Sequence, residues 1–208
     1  MAKGGKLIVF SAPSGSGKTT IVQHLLKQED LNLEFSVSAT SRKPRGDEQH
    51  GREYYFLSLS DFKSHMKKDD FLEWECVYWY NDHGTLKSEL YRIGAMGKTC
   101  IFDIDFCVGL RIKRKFPVRT LAVFVKPQSV EELKIRLKKR KTESDEKINV
   151  RIAKASVEMA TAPRFDQVIL NDSLDHALSE ASKLVASHIA KPLKNPTALN
   201  RPYRNAEE

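Results

Sequence analysis

The chain has 208 residues, 40% hydrophobic and 30% charged, a balance that excludes a disordered or fibrous protein and suits one large α/β domain with a substantial core. No stretch approaches the roughly 18 apolar residues of a membrane span, and Met1-Ala2-Lys3-Gly4-Gly5 has no signal-peptide apolar region, so a cytoplasmic protein without membrane partners is expected. The net charge of +8 suits small polyanions, nucleic acid or an acidic surface, while Cys76, Cys100 and Cys107, odd in number and without C-x-x-C spacing, read as free thiols with no zinc site.

From the N-terminus, the apolar run Leu7-Ile8-Val9-Phe10 predicts a buried strand, followed directly by Ala12-Pro13-Ser14-Gly15-Ser16-Gly17-Lys18-Thr19. It reads as a phosphate-binding loop. Its glycines let successive backbone N–H groups turn inward, and the helix predicted from Thr19 adds its N-terminus around a polyphosphate. Ser14, Gly15, Ser16, Gly17, Lys18, Thr19 and Thr20 are therefore expected to bind a nucleotide's polyphosphate, with Lys18 on the β/γ-phosphates and Thr19 on Mg²⁺. Ala12 stands where the G-x-x-x-x-G-K-[ST] pattern has its first glycine.

Further apolar runs at Thr99 to Ile104, Leu121 to Val125 and Val168 to Leu170 are short and not alternating, as expected of strands covered on both faces of a parallel sheet. Helix-length segments at Thr19 to Lys27, Lys87 to Met96, Val130 to Lys139, Asp145 to Met159 and Leu174 to Ile189 give the alternation of a three-layer α/β fold. Ser129 and Ser144 have the spacing of helix N-caps. The interval from Leu33 to Tyr80 differs: strand-like pieces at Leu33 to Ser38, Tyr54 to Leu57 and Phe71 to Tyr78, with one helical piece at Phe62 to Lys68. It reads as a small mixed α+β subdomain over the carboxyl edge of the sheet, where a second substrate would sit. The basic stretches Arg111 to Lys115 and Lys134 to Lys141 read mainly as solvated faces, and the proline-bearing tail Lys191 to Glu208 as mobile.

Within that insert, Arg42 and Arg45 flank a proline turn in Ser36-Val37-Ser38-Ala39-Thr40-Ser41-Arg42-Lys43-Pro44-Arg45-Gly46, and two guanidinium forks can clamp one phosphate. Gly51-Arg52-Glu53-Tyr54-Tyr55-Phe56, Phe71-Leu72-Glu73-Trp74 and His83-Gly84-Thr85 follow. With Asp103-Ile104-Asp105, the segment Arg136 to Ser144 and Val168-Ile169-Leu170-Asn171-Asp172, these pieces resemble guanylate kinases, P-loop nucleoside-monophosphate kinases, from about Lys6 to about Ile189.

The resemblance implies ATP-dependent phosphorylation of GMP and dGMP, a GMP-binding insert over 33–85, a helical lid over 136–159, and a single domain that is a monomer or homodimer and needs no nucleic acid. It implies that Ser38, Arg42, Arg45 and Tyr54 hold the GMP phosphate while Glu73, Thr85 and Asp105 read guanine. Guanine presents N1–H and N2–H donors, which a carboxylate accepts and which adenine does not match. It further implies Arg136, Arg140 and Arg151 at the ATP phosphates, with Asn171 near the adenine or ribose. Phosphoryl transfer needs in-line positioning and charge neutralisation, which Lys18, Mg²⁺ and converging arginines can supply, and Asp103 is placed to orient waters of the metal.

The chain departs from the family at several points. His83 stands where a tyrosine usually helps hold the phosphate, which predicts weaker or more pH-dependent GMP binding. Val108, Lys139 and Lys141 replace small or polar residues, the lysines implying a stiffer lid, and Trp79-Tyr80-Asn81-Asp82 is more aromatic than the usual loop. Two other functions fit parts of the pattern: a catalytically silent domain binding phosphopeptides through Arg42 and Arg45, and a basic P-loop protein acting on nucleic acid. Retention of Gly17, Lys18 and Thr19 argues against the first, and the Glu73 and Thr85 pocket against the second.

Overall fold

The computed structural model describes residues 5–77, 81–139 and 145–193. Strand β1 (Leu7–Ser11) is buried at every position and leads through the glycine loop into α1 (Lys18–Leu26). A short 3-10 turn then precedes β2 (Leu33–Phe35). The insert contributes β3 (Ser38–Thr40), β4 (Tyr54–Phe56), α2 (Leu59–Lys67), β5 (Phe71–Val77) and β6 (Asn81–Leu86). The chain returns through α3 (Lys87–Ala95), β7 (Thr99–Asp103), α4 (Phe106–Lys115) and β8 (Thr120–Pro127). It ends with α5 (Val130–Lys139), α6 (Asp145–Ala160), β9 (Gln167–Asn171) and α7 (Leu174–Ala190).

Five strands form one parallel sheet in the order β2-β7-β1-β8-β9. Because side chains alternate along a strand, β1 feeds two separate cores. Ile8 and Phe10 pack with Ile21, Val22 and Leu25 of α1 and Ala177, Ala181 and Val185 of α7. Leu7 and Val9 pack on the opposite face with Ile93 of α3 and Val108 and Ile112 of α4. This is the expected three-layer α/β arrangement, and it places the carboxyl ends of β1 and β7 side by side at one edge. Among the described residues no helix is long and apolar enough to cross a membrane.

The insert carries its own four-stranded mixed sheet, ordered β4-β3-β6-β5, over a small core of Ala39, Phe62 and Phe71. Leu33–Phe35, expected to belong to it, instead pairs with Thr99–Ile101 as the edge strand of the main sheet. The reason is burial: Leu33 joins the α1 core and Phe35 packs against it, so the insert's sheet starts only at Ser38. Helix α4 was not anticipated, since its five-residue basic run Arg111 to Lys115 obscures the buried stripe Val108, Gly109 and Ile112. Helices α5 and α6 form a pair around Leu133, Leu137, Ile148 and Ala155. The Ser129 cap is present, its hydroxyl accepting from the Glu132 N–H at 3.0 Å. Ser144, Arg140, Lys141, Trp79, Tyr80 and the tail from 194 onward lie outside the described residues.

Candidate active site

The loop after β1 is built from backbone. Gly17 caps α1 with φ +88° and Gly15 has φ +92°, the left-handed region that residues with a Cβ rarely enter. A Cβ on Gly17 would lie 2.5 Å from Asn171 Nδ2, which itself donates to the Ser16 carbonyl at 2.7 Å. Asn171 therefore braces the loop from the end of β9. The first turn of α1 holds no acidic side chain, leaving its N–H groups and dipole open to an anion. Ala12 packs its methyl against the α1 and α7 core, which gives the missing glycine of the motif a structural use.

Lys18 and Thr19 converge on the end of β7. Lys18 Nζ lies 2.5 Å from Asp103 Oδ1 and donates to the Ile104 carbonyl at 2.9 Å, while Thr19 Oγ1 donates to Asp103 Oδ2 at 2.8 Å. Arg151, on α6, donates to the Ser14 hydroxyl across the loop. Together with Thr20, Val150 and Glu158 these groups line a cavity of about 530 Å³.

A second cavity of about 780 Å³ opens between the insert and the same edge, lined among others by Ser38, Tyr54, Glu73, His83, Thr85 and Asp105. Register explains the pairing of these residues, since Ser38 lies beside Tyr54 across β3 and β4, and Glu73 beside Thr85 across β5 and β6. The Thr85 N–H donates to Glu73 Oε1 at 3.1 Å, but Glu73 Oε2 and Thr85 Oγ1 are buried without any hydrogen-bond partner. A buried polar atom left unpaired costs roughly 1–3 kcal/mol, so these two atoms call for a ligand with matching donors and acceptors. Burial pushes the Glu73 carboxyl up to about 7, with Thr85 partly opposing and the Glu75 charge adding to the shift.

Asp105 caps α4 by accepting from the Cys107 N–H at 2.9 Å and faces Lys154 at 3.3 Å. His83 stacks edge-on to Tyr54, their ring centres 5.7 Å apart. Burial, then the Arg42 and Arg45 charges, hold its imidazole below the ordinary histidine range. The ring therefore takes up its charge at a lower pH than an ordinary histidine.

Arg42 lies over the Tyr54 ring at 4.8 Å, and its fork is held by Glu48 through bonds of 2.6 and 2.7 Å. Glu48 also accepts from the Arg45 backbone N–H at 2.8 Å, and the Arg42 guanidinium drives its carboxyl down to about 2. The Arg45 side chain is exposed. Glu48 was missed in the sequence, although its spacing of six residues from Arg42 and three from Arg45 across one turn was a readable signal.

Not every expected residue faces a cavity. Arg136 bonds Glu132 and the Asn171 carbonyl and lines neither space, and Asn171 lies behind the loop with its Oδ1 unpartnered. Arg140 lies outside the described residues. Six residues line both cavities: Lys18, Thr19, Asp103, Asp105, Arg151 and Lys154. The two cavities thus meet at the phosphate loop.

A P-loop followed by a parallel sheet, with a mixed insert facing it across a shared polar seam, defines a P-loop nucleotide-binding protein with two adjoining cavities. The family model described as guanylate kinase matches residues 4–188. A guanylate kinase of Bacteroides thetaiotaomicron is 48% identical over 187 residues, covering 90% of this chain and 91% of that one. One of Porphyromonas gingivalis is 48% identical over 186 residues, 89% and 99% of the two chains. The crystal structure of guanylate kinase from Anaplasma phagocytophilum shares the fold, with TM-score 0.72, 23% identity, and coverage of 91% of this chain and 88% of that one. The chain belongs to the guanylate kinase family of enzymes.

Proposed function

We propose that the protein transfers a phosphoryl group from ATP to GMP or dGMP, with ATP on the loop of β1 and α1 and the acceptor in the larger cavity. The observation that carries this reading is the pair of unpartnered buried atoms, Glu73 Oε2 and Thr85 Oγ1. Guanine brings adjacent N1–H and N2–H donors to the carboxylate and an O6 acceptor to the hydroxyl, whereas adenine brings an acceptor where the carboxylate needs a donor. The nucleotide's phosphate would lie toward Tyr54, Ser38 and the Arg42 and Arg45 turn. Lys18 and Arg151 border both spaces and balance the charge of the moving group.

Thr19 Oγ1 and the Asp103 carboxylate, 2.8 Å apart at this seam, are hard oxygen donors of the kind Mg²⁺ takes while keeping waters and phosphate oxygens as its other ligands. Bound there, Mg²⁺ would neutralise charge on the donor phosphates. Lys18, paired with Asp103 in this structure, would turn its ammonium to the donor phosphates when they are bound. Approach of the insert and of α5 and α6 would exclude water, which otherwise competes as the acceptor.

The test is a coupled assay with Mg-ATP and each nucleoside monophosphate in turn. GMP and dGMP should turn over far faster than AMP, CMP or UMP; equal rates would overturn the reading. Phosphopeptide binding without turnover is the outcome expected of a silent relative, and the intact Lys18, Thr19 and Asp103 cluster argues against it.

A further inference from the structure

Lys154 is the cation at the seam that the motifs do not account for. It sits three residues after Arg151 on α6, on the same helix face, and like Arg151 it lines both cavities. Its Nζ lies 3.3 Å from Asp105 Oδ2 and 3.3 Å from Glu158 Oε1. The Glu158 side chain is 8% exposed, so this carboxylate forms a floor under the ammonium. Glu75, on β5, lines the larger cavity next to Glu73, and burial, then the Asp105 charge, hold it above the ordinary carboxylate range.

Among the described residues, Lys154 is the cation in ion-pair distance of both Asp105 and Glu158 at this corner. Lys18 pairs with Asp103 and also faces Glu158 at longer range, and Arg151 donates to the Ser14 hydroxyl. Asp105 and Glu158 pair with Lys154 and, against the burial that disfavours its charge, hold its ammonium above the ordinary lysine range, while Glu75 faces both Lys154 and Arg111. A nucleoside monophosphate enters this cavity with its own negative charge. Asp105 has one oxygen fixed by the Cys107 N–H, so the direction of the other is set by the group facing it.

We propose that Lys154 is a positioning residue of the acceptor site: it aims Asp105 Oδ2 into the cavity and offsets Glu75, Asp105 and Glu158 so that an anionic purine nucleotide can enter. The inference rests on the reading of the larger cavity as the GMP site. Lys154 then ties the α5 and α6 pair to the acceptor pocket, so that the element covering the donor also reports whether the acceptor pocket is set.

The experiment is calorimetric titration of GMP into the full-length protein, together with steady-state kinetics, for wild type, Lys154→Met, Lys154→Arg and the double variant Lys154→Met/Glu75→Gln. Lys154→Met should raise the Kd and KM for GMP about tenfold, the size of one lost charge-assisted contact, and leave kcat within about twofold. Lys154→Arg should restore most of the affinity, and Glu75→Gln should restore part of it in the Met background by removing one uncompensated charge. Thermal melting shows whether each variant is folded, and a folded Lys154→Met with unchanged GMP affinity overturns the proposal. A fall in kcat at unchanged KM also overturns it, because that pattern assigns Lys154 to the moving phosphoryl group. If wild type itself neither binds nor phosphorylates GMP, it is the reading of the site that fails first, and the role of Lys154 with it.

Discussion

The two halves of the site are made in different ways. The loop around Gly15 and Gly17 is a backbone site: its binding groups are N–H vectors, fixed by two left-handed glycines and braced by one buried asparagine. The pocket across the seam is a side-chain site, in which Ser38, Tyr54, Glu73, His83 and Thr85 come from strands of the insert and Asp105 from a helix cap. A backbone site tolerates no Cβ and recognises phosphate on any nucleotide. A side-chain site can be altered one group at a time and, in the function proposed above, carries the choice of base. That difference orders the expected effects.

Gly17→Ala should have the largest effect. An L-residue at φ +88° costs roughly 1–2 kcal/mol, and its Cβ would stand 2.5 Å from Asn171 Nδ2, forcing apart the bond that braces Ser16. ATP affinity should fall at least tenfold, with GMP binding in the absence of ATP unchanged. Adding Asn171→Ala removes the clash but neither the strain nor the unpaired Ser16 carbonyl, so it should recover only part of the loss. Normal ATP affinity in Gly17→Ala would show that the loop is held by something other than its backbone.

Glu73→Gln should act on the other half alone, and in two directions. The amide meets one guanine donor with a donor of its own, so KM for GMP should rise at least tenfold while ATP affinity holds. Stability should move the opposite way. The Glu73 carboxyl sits at about 7 in the fold against an ordinary 4.5, so from pH 4.5 upward the unfolded chain releases a proton that the fold retains. The resulting cost is absent below pH 4.5 and complete above pH 7, at about 3 kcal/mol at most. The melting temperature of Glu73→Gln relative to wild type should therefore climb between pH 5 and pH 8. A difference that is flat with pH would mean that the carboxyl is not buried in the way described. A pocket that stores instability for its ligand is a common exchange of stability for function.

The same contrast explains how much could be read in advance. The loop is eight contiguous residues with strand before and helix after, and its chemistry follows from spacing alone. The acceptor pocket is spread from Ser38 to Asp105, and only the resemblance to a family joined its pieces. What escaped was long-range. Leu33-Glu34-Phe35 reads locally as a strand, but nothing in three residues says which sheet will take it. Val108 and Ile112 are spaced for a helix, yet the basic run beside them looked like surface charge. Arg42 was read as a free fork, and its capture by Glu48 is a matter of turn geometry. Lys154 carries no signal in the sequence, because its partners Asp105 and Glu158 meet it only in the fold.

The smallest expected effect belongs to His83, and it tests the acceptor pocket from the opposite side. Its imidazole is held below the ordinary 6.5 first by burial and then by Arg42 and Arg45. As pH falls below 6.5 the unfolded chain takes up a proton that the folded pocket refuses, so the fold loses stability there and is unaffected above. His83→Gln should therefore gain on wild type as pH drops below 6.5 and match its pH dependence above 7. Glu73 and His83 thus cost the fold at opposite ends of the scale, one as it ionises above 4.5 and the other as it resists charging below 6.5. Melting curves of wild type and both variants from pH 5 to pH 8 read the two slopes separately. Variant differences of the same sign and slope would mean the two side chains respond to one shared change in the pocket. Opposite slopes would mean each is buried on its own account, as a site assembled from separate side chains requires.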